Sequence, residues 1–335
     1  MKPETKKIKV AINGFGRIGR NLFRLLLNHP EIEVVVINDL ADTKTMSHLF
    51  KYDSIHGILP NDIGFEDYYL IIDDRKVRFS HEKSPENCNW KDIDIVIEST
   101  GKFKTKALAS QHLKAGAKKV ILSAPPEEDE IKTIVLGVNE NILDGTETII
   151  SNASCTTNNA APMIKIIHEL CGINQAYITT VHSYTTDQSL HDQPHKDLRR
   201  ARGAAQSIVP TTTGAAKALT KIFPELDGKI GGSGIRVPVP NGSLTDITCY
   251  VSKNISIDEL NQAFKNASET SLKNILDYTE TPIVSVDIIG NTHSCLFDSQ
   301  LTSVIDKMVK VVGWYDNEIG YSSRIIDLIK RISNK

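Results

Sequence analysis

The feature of this sequence that most constrains its fold is a glycine-rich turn near the start, Gly14-Phe15-Gly16-Arg17-Ile18-Gly19. It directly follows an apolar, β-branched run at residues 8–13, and the residues after it have the spacing of a helix over 17–27. A second predicted strand, residues 34–38, ends just before Asp39, which lies 20 residues after Gly19. Glycines placed between a strand and a helix, with an acidic residue at that distance, are typical of a dinucleotide-binding βαβ unit.

Each glycine of this turn has a distinct physical role. Gly14 permits the tight turn, Gly16 lets the backbone approach a pyrophosphate, and Gly19 lets the helix pack closely on the strand. The N–H groups at the start of the helix then stabilise the phosphate charge. Asp39 accepts hydrogen bonds from ribose hydroxyls and repels a 2′-phosphate, so the pattern predicts NAD rather than NADP.

The first half of the chain alternates short apolar runs with helical segments. Continuous apolar runs predict strands buried on both faces, as in a parallel sheet covered by helices. These runs are residues 93–97, 119–122 and 133–137, with a crossover helix over 104–115 that Gly116 ends. The pattern predicts a Rossmann-type, doubly wound parallel sheet up to about residue 152.

The second half has a different pattern. Residues 243–252 and 307–315 alternate polar and apolar side chains, which predicts strands with one solvated face. An α+β domain with a mainly antiparallel sheet follows from this alternation. Residues 183–207 and 228–234 lack strong periodicity and are predicted as long loops.

Composition excludes several classes of protein. The 335 residues carry a formal net charge of −2, whereas a nucleic-acid-binding protein usually has a clear basic excess. The longest apolar runs fall short of the roughly 18 residues that a membrane-spanning helix needs. Five cysteines without paired spacing indicate reduced thiols and a cytoplasmic location. Histidines and cysteines lack zinc-site spacing, so the sequence predicts no metal site.

One of the five cysteines has an environment unlike a protein core. Cys155 lies at a predicted helix start within Ser151-Asn152-Ala153-Ser154-Cys155-Thr156-Thr157-Asn158. A helix N-terminus stabilises a thiolate, and hydroxyls flank the residue on both sides. His182 ends an apolar run and enters a polar loop, which makes it the best candidate for the base of a nucleophilic thiol.

Two further segments suit an anionic ligand. The run Asp197–Arg202 contains three arginines, and Thr211-Thr212-Thr213-Gly214 opens a predicted helix. Arg236 lies in a run predicted as a strand over 234–239. Hydroxyls and N–H groups at a helix start bind phosphate, and arginine binds it in a bidentate manner. An isolated arginine run is more often a solvated face, but two such elements beside a reactive cysteine favour a phosphorylated substrate.

Together these segments resemble phosphorylating glyceraldehyde-3-phosphate dehydrogenases. In order along the chain, the resemblance is carried by residues 12–20, 151–158, 182–185, 194–200, 211–214 and 314–318. The segment Ser154-Cys155-Thr156-Thr157-Asn158 is highly specific to this group. The resemblance implies oxidation of glyceraldehyde 3-phosphate by NAD and phosphorolysis of a thioester on Cys155, with His182 as the base.

The resemblance also implies roles for individual side chains. The inorganic-phosphate site would comprise Ser154, Thr156, Thr213 and Gly214, and the substrate phosphate would be bound by Thr185, Asp187, Arg200 and Arg236. The contacts to NAD would come from Gly14, Gly16, Arg17, Ile18, Gly19, Asp39, Arg78, Ser123 and Asn317. Asn317 would hold the nicotinamide carboxamide.

At the level of domains, the resemblance implies an NAD-binding domain over 1–154 and a catalytic domain over 155–316. A C-terminal helix over 317–335 is expected to pack back on the first of these. Residues 183–207 correspond to the family's S-loop, which lies at a subunit interface, so a homotetramer is expected.

Several alternatives use the same residues less completely. Erythrose-4-phosphate dehydrogenase shares the fold and the Cys-His pair but ends in hydrolysis; the intact threonines at 185 and 211–213 favour phosphorolysis. Acyl-phosphate reductases such as the semialdehyde dehydrogenases share the architecture but lack the full order of motifs. A Cys-His hydrolase leaves the glycine turn and Asp39 unexplained, and a non-catalytic NAD sensor has no need of Cys155 and His182.

Overall fold

A computed structural model describes residues 7–333 of the chain. The described residues divide into two compact units. Unit 1 comprises residues 7–134, 141–153 and 322–333, and unit 2 comprises residues 135–140 and 154–321.

The sheet of unit 1 has a parallel core and an antiparallel edge. The unit 1 strands in the described part of the chain are β1 (Ile8–Asn13), β2 (Ile32–Asn38), β3 (Tyr52–Asp53), β4 (Gly57–Ile58), β5 (Ile63–Glu66), β6 (Tyr69–Ile72), β7 (Arg75–Ser80), β8 (Ile95–Glu98), β9 (Lys119–Leu122), β10 (Lys132–Thr133) and β11 (Ile149–Ser151). Nine of those described strands form one sheet in the order β10-β11-β9-β8-β1-β2-β7-β6-β5, and β3 pairs with β4 separately. All pairs from β10 to β7 are parallel, while β6 runs antiparallel to β5 and β7.

The helices of unit 1 are α1 (Arg17–Leu26), α2 (Thr43–Lys51) and α3 (Lys106–Lys114). Helix α1 buries Phe23, whose ring stacks on Phe50 of α2 with centroids 5.0 Å apart. Asp42 caps α2 by accepting a hydrogen bond from the Thr45 N–H. Phe15 of the glycine turn joins the Phe23 and Phe50 rings, with its ring centroid 5.5 Å from that of Phe50 and 6.2 Å from that of Phe79 on β7, so the turn packs against both α2 and the sheet.

The register brings the carboxyl ends of four parallel strands to one edge. Asn13 at the end of β1 lies opposite Asn38 at the end of β2 and Glu98 at the end of β8. Asn38 in turn lies opposite Ser80 at the end of β7. The glycine turn after β1 and Asp39 after β2 therefore emerge side by side, at the edge where open α/β sheets bind ligands.

Unit 2 is built on a mixed, mainly antiparallel sheet. Its strands within the described residues are β12 (Ile173–Ser183), β13 (Val209–Thr211), β14 (Ile230–Val237), β15 (Ser243–Val251), β16 (Leu276–Thr279), β17 (Cys295–Asp298), β18 (Ser303–Ile305) and β19 (Met308–Tyr315). The order is β13-β14-β12-β15-β19-β17-β16, with β18 paired to β19. Only the pairs β12–β14 and β16–β17 are parallel among these described strands.

The helices of unit 2 are α4 (Cys155–Cys171), α5 (Ala215–Ile222) and α6 (Ile257–Glu269). Helix α4 buries most of its side chains, which accounts for its continuous apolar pattern. The last helix, α7 (Ile319–Ser333), begins in unit 2, and its residues from 322 onwards belong to unit 1. There Lys330 Nζ lies 2.8 Å from Glu31 Oε1.

The structure corrects two of the predicted elements. Residues 228–234 are not a loop, because β14 already begins at Ile230 and pairs with β12. Its glycines hid the strand pattern; Gly231 lies under the ring of Tyr177, where a Cβ would come within 3.0 Å. Residues 133–137 are not a strand either, since β10 ends at Thr133.

The structure has neither helix nor strand between Ser183 and Val209, as predicted for the long loop. The segment 43–80, by contrast, holds α2 and β3–β7, which the sequence analysis did not predict. In the part of the chain that the structure describes, no helix has the length and apolar character to cross a membrane.

Candidate active site

Cys155 is the first residue of α4 in unit 2. Ser154 caps the helix, its Oγ accepting a hydrogen bond of 3.1 Å from the Thr157 N–H. The Cys155 side chain is therefore at the positive end of the helix dipole, where a thiolate is stabilised. The residue is half-buried, whereas Cys88, Cys171, Cys249 and Cys295 are buried.

His182 lies near the end of β12 and faces this thiol. Its Nε2 is 3.4 Å from Cys155 Sγ, and its Nδ1 is 2.7 Å from the Ser183 carbonyl oxygen. Because a carbonyl only accepts, Nδ1 carries the hydrogen and Nε2 presents a lone pair to the thiol. The geometry thus brings together the two residues that the sequence analysis could not pair from spacing alone.

The electrostatic environment of this pair favours a neutral histidine. Burial, and next the nearby charge of Arg236, lower the pKa of His182 to about 4. Burial raises the pKa of the Cys155 thiol, while the charge of Arg236 and hydrogen bonds from Thr156 act in the opposite direction. An uncharged imidazole beside a thiol is a competent proton acceptor.

Tyr315 orients this pair, although the sequence analysis gave it no role. Its ring meets His182 edge to face, with centroids 5.9 Å apart, and its hydroxyl lies 2.9 Å from Oγ1 of both Thr156 and Thr180. Burial raises the pKa of this phenol, so it stays protonated. The alternation of β19 predicts a buried side chain at 315, but only the register with β15 brings it beside β12.

Next to His182, two arginines share one carboxylate. Arg200 Nη1 lies 2.6 Å and Arg236 Nη2 3.7 Å from Asp187 Oδ2. Arg236 Nη1 also donates to Thr185 Oγ1 at 2.7 Å, and the Thr185 hydroxyl donates to Asp187. Arg200 Nε donates to Thr211 Oγ1 at 2.9 Å. The four residues predicted for a substrate phosphate thus form one cluster.

The ionised groups of this cluster are two arginines and the carboxylates that pair with them. Burial opposes ionisation of Asp187, but the Thr185 hydroxyl and the two arginines outweigh it, so its pKa lies below the usual range. Asp197 Oδ2 also lies 3.7 Å from Arg200 Nε, so two carboxylates balance the charge of the two guanidinium groups. The N–H donors of the two arginines remain suited to phosphate oxygens, which arginine binds in a bidentate manner.

The residues predicted for inorganic phosphate are less closely joined. Ser154 and Thr156 lie next to Cys155 on α4, and Thr156 is buried against Tyr315. Thr213 Oγ1 accepts from the Ala215 N–H at 3.2 Å, and Gly214 precedes α5. Within the described residues, no hydrogen bond joins Thr213 or Gly214 to Cys155 or His182.

In unit 1, the glycine turn has the tight packing that its sequence predicts. Gly14 has φ +93°, and a Cβ there would lie 2.7 Å from the Thr100 nitrogen. A Cβ on Gly19 would lie 2.3 Å from the Gly14 carbonyl oxygen, so only glycine lets α1 approach the turn. Gly16 faces open space, and no side chain of the described residues caps α1 there.

Asp39 lies beside this turn. Its Oδ2 accepts from the Phe15 N–H at 2.7 Å and its Oδ1 from the Ala41 N–H at 3.0 Å. Each carboxylate oxygen retains a further lone pair for a ribose hydroxyl. Asp39 therefore fixes the glycine turn in addition to the ribose-binding role predicted for it.

Arg17 and Ile18 form the first turn of α1. The Arg17 guanidinium pairs with Asp53 through contacts of 2.6 and 3.1 Å. Burial works against ionisation of Asp53, yet this arginine and two backbone N–H groups bring its pKa to about 2. The Arg17 side chain is thus occupied by Asp53. At this position the turn offers the backbone of Arg17, and not its guanidinium, to a ligand.

The remaining predicted cofactor residues are spread over both units. The Arg78 guanidinium on β7 donates to the Asn89 carbonyl, and the Ser123 N–H donates to the Glu98 carbonyl at 2.9 Å. Asn317, in unit 2, accepts through Oδ1 from the Ser183 and Ser243 hydroxyls, each at 2.9 Å. That pair of bonds fixes the Asn317 amide with its Nδ2 donor directed away from them.

The donor set of unit 1 fits a dinucleotide. The turn offers backbone N–H groups at a helix start without a capping side chain, together with a carboxylate that can accept from ribose. Among residues 7–333, no group of three or more His, Cys, Asp or Glu side chains could hold a metal ion.

Comparison with family models separates the same two parts of the chain, one that binds a dinucleotide and one that holds the Cys155–His182 pair. Residues 8–106 match the model described as "Glyceraldehyde 3-phosphate dehydrogenase, NAD binding domain", and residues 154–317 match "Glyceraldehyde 3-phosphate dehydrogenase, C-terminal domain". The fold and the site therefore define an NAD-dependent oxidoreductase with a dinucleotide-binding domain and a separate catalytic domain.

Individual relatives specify the family. The chain is 53% identical to glyceraldehyde-3-phosphate dehydrogenase of Geobacillus stearothermophilus over 98% of its own length and 99% of the relative's. Identity is 53% to the Mycobacterium tuberculosis H37Rv enzyme over 96% of this chain and 97% of that one. It is 50% to glyceraldehyde-3-phosphate dehydrogenase 1 of Bacillus subtilis, covering 98% and 99%. The chain belongs to the glyceraldehyde-3-phosphate dehydrogenase family.

Proposed function

We propose that the chain oxidises glyceraldehyde 3-phosphate to 1,3-bisphosphoglycerate with NAD and inorganic phosphate, a step of glycolysis and gluconeogenesis. The observation that carries this proposal is the Cys155 Sγ–His182 Nε2 contact of 3.4 Å beside the Arg200–Arg236 cluster. A thiol that faces a base next to two arginines is suited to a phosphorylated aldehyde.

The first chemical step forms a bond to sulfur. His182 Nε2 takes the thiol proton, and the Cys155 thiolate attacks the aldehyde carbon to give a hemithioacetal. The imidazolium formed on His182, together with the backbone N–H of Cys155, stabilises the negative charge on the former carbonyl oxygen. His182 then gives its proton to that oxygen, which forms the hemithioacetal hydroxyl and restores the neutral imidazole. Tyr315 keeps the imidazole ring in the required orientation.

The second step converts the hemithioacetal to a thioester. His182 takes the proton from the hemithioacetal hydroxyl while the hydrogen on carbon leaves with its electron pair. NAD, when bound, supplies the acceptor for that hydride. An oxygen of inorganic phosphate then attacks the thioester carbon, and the sulfur of Cys155 leaves and is reprotonated. One aldehyde and one phosphate thus give one acyl phosphate, a reduced cofactor and a proton.

The anion sites are assigned to the two phosphates. We assign the substrate phosphate to Thr185, Asp187, Arg200 and Arg236, with Arg200 shared between the two sites. Asp187 is an anion, so its contribution is to hold the arginines rather than to contact phosphate. Inorganic phosphate is assigned to Ser154, Thr156, Thr213 and Gly214, in support of which Gly214 precedes a helix and has open space at its Cα.

NAD is assigned to the glycine turn of unit 1. The residues that would hold it are Gly14, Gly16, Arg17, Ile18, Gly19, Asp39, Arg78 and Ser123, with Asn317 for the carboxamide. The N–H groups of the turn bind pyrophosphate, and Asp39 binds ribose and excludes a 2′-phosphate. The orientation of Asn317, with Nδ2 free of the two serine hydroxyls, supports a donor role toward a carboxamide oxygen.

Domain boundaries and assembly are part of the same proposal. We infer an NAD-binding domain over 1–154, a catalytic domain over 155–316 and a C-terminal helix over 317–335 that returns to the first domain. In support, residues 154–321 belong to unit 2 and residues 322–333 belong to unit 1. We also infer a cytoplasmic homotetramer with the S-loop, residues 183–207, at a subunit interface. Leu190 and Leu198 of that loop are 68% and 82% exposed, which favours a protein contact there.

The test is NADH formation from glyceraldehyde 3-phosphate and NAD, with and without inorganic phosphate or arsenate. Strong dependence on the anion is expected, because phosphorolysis releases the thioester. Turnover that does not need phosphate indicates hydrolytic release and directs attention to erythrose 4-phosphate as substrate. Absence of turnover with either aldehyde refutes the proposed activity.

A further inference from the structure

A chain of polar side chains crosses the carboxyl edge of the unit 1 sheet. Its members are the last residues of four neighbouring strands, Ser80, Asn38, Asn13 and Glu98, in register with one another. The Ser80 hydroxyl donates to Asn38 Oδ1 at 2.9 Å, Asn38 Nδ2 to Asn13 Oδ1 at 2.8 Å, and Asn13 Nδ2 to Glu98 Oε2 at 2.5 Å. We call this set the polar ladder.

At the Glu98 end, the polar ladder is joined by a buried histidine and a buried tryptophan. Glu98, His112 and Trp90 are 2%, 0% and 0% exposed. The Trp90 Nε1–H donates to His112 Nδ1 at 3.0 Å, so Nδ1 carries no hydrogen and the imidazole is neutral. His112 Nε2 therefore donates to Glu98 Oε2, also at 3.0 Å. This arrangement fixes one tautomer.

Every group that faces Glu98 is a donor. Its Oε2 accepts from Asn13 and His112, and its Oε1 accepts from both the N–H and the hydroxyl of Thr100. A carboxylate is the only side chain of this size that accepts at both ends. Burying it needs this full set of donors, since an unpartnered buried polar group is strongly unfavourable.

The polar ladder contacts both segments assigned to the dinucleotide, the Gly14 turn and the loop at Asp39. The Thr100 nitrogen, held by Glu98, is the atom that lies against Gly14, 2.7 Å from where a Cβ would be. The neighbouring Ser99 hydroxyl donates to the Gly14 carbonyl at 2.6 Å. At the other end, Asn38 precedes Asp39 in the chain and brackets Glu82, accepting from its N–H and donating to its carbonyl.

The direction of the hydrogen bonds depends on the Glu98 charge. Because Glu98 accepts only, Asn13 must present Nδ2 to it and Oδ1 to Asn38. Asn38 must then present Nδ2 to Asn13 and Oδ1 to Ser80 and to the Glu82 N–H. One buried charge thus sets the orientation of two amides that lead to the loop beside Asp39.

We propose that Glu98 is a positioning residue for NAD binding, which acts through the polar ladder to fix the Gly14 turn and the Asp39 loop together. The proposal rests on the assignment of NAD to unit 1. It assigns no contact between Glu98 and the cofactor.

The test variant is Glu98→Gln, which keeps the shape and replaces one oxygen with a donor. In either orientation of the new amide, its NH₂ group faces two existing donors, either Asn13 and His112 or the N–H and hydroxyl of Thr100. His112 cannot change tautomer to accept from it, because its Nδ1 already accepts from Trp90. We expect the Kd for NAD, measured by titration calorimetry, to rise about tenfold, since one buried unpartnered donor corresponds to roughly that factor. In steady-state kinetics the KM for NAD rises, while the KM for aldehyde and the saturated kcat change little.

The matched control is Asp298→Asn in unit 2. Asp298 is also a buried carboxylate, 3% exposed, and accepts from Trp314 Nε1 at 3.0 Å and from the Gln300 N–H. We expect this variant to melt at a lower temperature but to bind NAD with the parental Kd. A Glu98→Gln protein with a lower melting temperature and the parental Kd has only lost stability, and that result overturns the proposal.

A second variant tests the proposal even if Glu98→Gln does not fold. Asn38→Ser leaves the Glu98 charge in place and removes the side-chain hydrogen bonds of Asn38 to Asn13, Ser80 and Glu82. We expect a higher Kd for NAD here too, and the parental Kd contradicts the proposal. The unmodified chain serves as the reference: if it binds no NAD, the cofactor assignment itself fails, whereas a loss confined to the variants supports positioning.

Discussion

His182 is the base in contact with the Cys155 thiol, and its replacement by asparagine removes that proton acceptor while leaving a small polar side chain. The separation of 3.4 Å between Nε2 and Sγ sets the size of the effect. With an effective dielectric constant of about 20, an imidazolium and a thiolate at that separation attract by roughly 5 kcal/mol. That energy corresponds to between three and four orders of magnitude in the thiolate population.

The helix N-terminus and Arg236 remain in the His182→Asn variant and retain part of this stabilisation. We therefore expect turnover to fall by about 10²- to 10⁴-fold, the range typical of a lost general base. The KM for NAD is expected to change little, because His182 lies in unit 2 and makes no hydrogen bond to the glycine turn.

Alkylation of Cys155 by iodoacetamide provides a direct assay of the thiolate. The other four cysteines are Cys88, Cys171, Cys249 and Cys295. They are buried, and burial raises the pKa of each thiol, so the label is confined to Cys155. In His182→Asn the pH midpoint of alkylation is expected to move upward and the rate at neutral pH to fall. His168→Asn, a change on the same unit away from the thiol, is the control.

A His182→Asn protein that alkylates with the parental pH profile and keeps turnover within tenfold of the parent refutes the reasoning. Such a result would mean that the contact of 3.4 Å transfers no proton and that the helix terminus alone activates the thiol.

Three further predictions concern single side chains. Cys155→Ser is expected to lose nearly all turnover while NAD binding and melting temperature stay parental; substantial residual activity contradicts covalent catalysis. Asp39→Ala is expected to weaken NAD binding and improve the relative use of NADP in paired kinetic assays, because an acceptor for ribose and for the Phe15 N–H is lost; unchanged selectivity assigns discrimination to other groups. Asp53, paired with Arg17, has a folded pKa of about 2 against 3.8, so its stability contribution is present above pH 3.8 and is lost as pH falls toward 2. The stability gap between the parent and Asp53→Asn in chemical denaturation should be roughly 2 kcal/mol at neutral pH and close toward pH 2; a gap that is constant with pH refutes this.

Much of the dinucleotide site could be predicted because its signal is local. The glycine turn, the strand before it and Asp39 follow one another within a short stretch, and the close contacts at Gly14 and Gly19 leave no room for a Cβ. The start of α4 at Cys155 was predicted within one residue for the same reason, since polar residues at a helix start have a recognisable pattern.

The rest depends on contacts between distant parts of the chain. Tyr315 reaches His182 only through the pairing of β19 with β15 and of β15 with β12. The first half of strand β14 was missed because three glycines interrupt its apolar pattern, although β12 pairs with the whole strand. The polar ladder is equally non-local: Asn13 and Glu98 are 85 positions apart, and only the sheet register places them side by side.

The central claim is that the reaction passes through a thioester on Cys155, and mass spectrometry of the protein tests it most directly. The chain is mixed with glyceraldehyde 3-phosphate and NAD in phosphate-free buffer and quenched with acid within the first turnover. We predict a phosphoglyceroyl adduct on the peptide that contains Cys155, and its disappearance when inorganic phosphate is added before the quench. Continued NADH formation without any adduct on Cys155, or an adduct that persists in phosphate, would contradict the account.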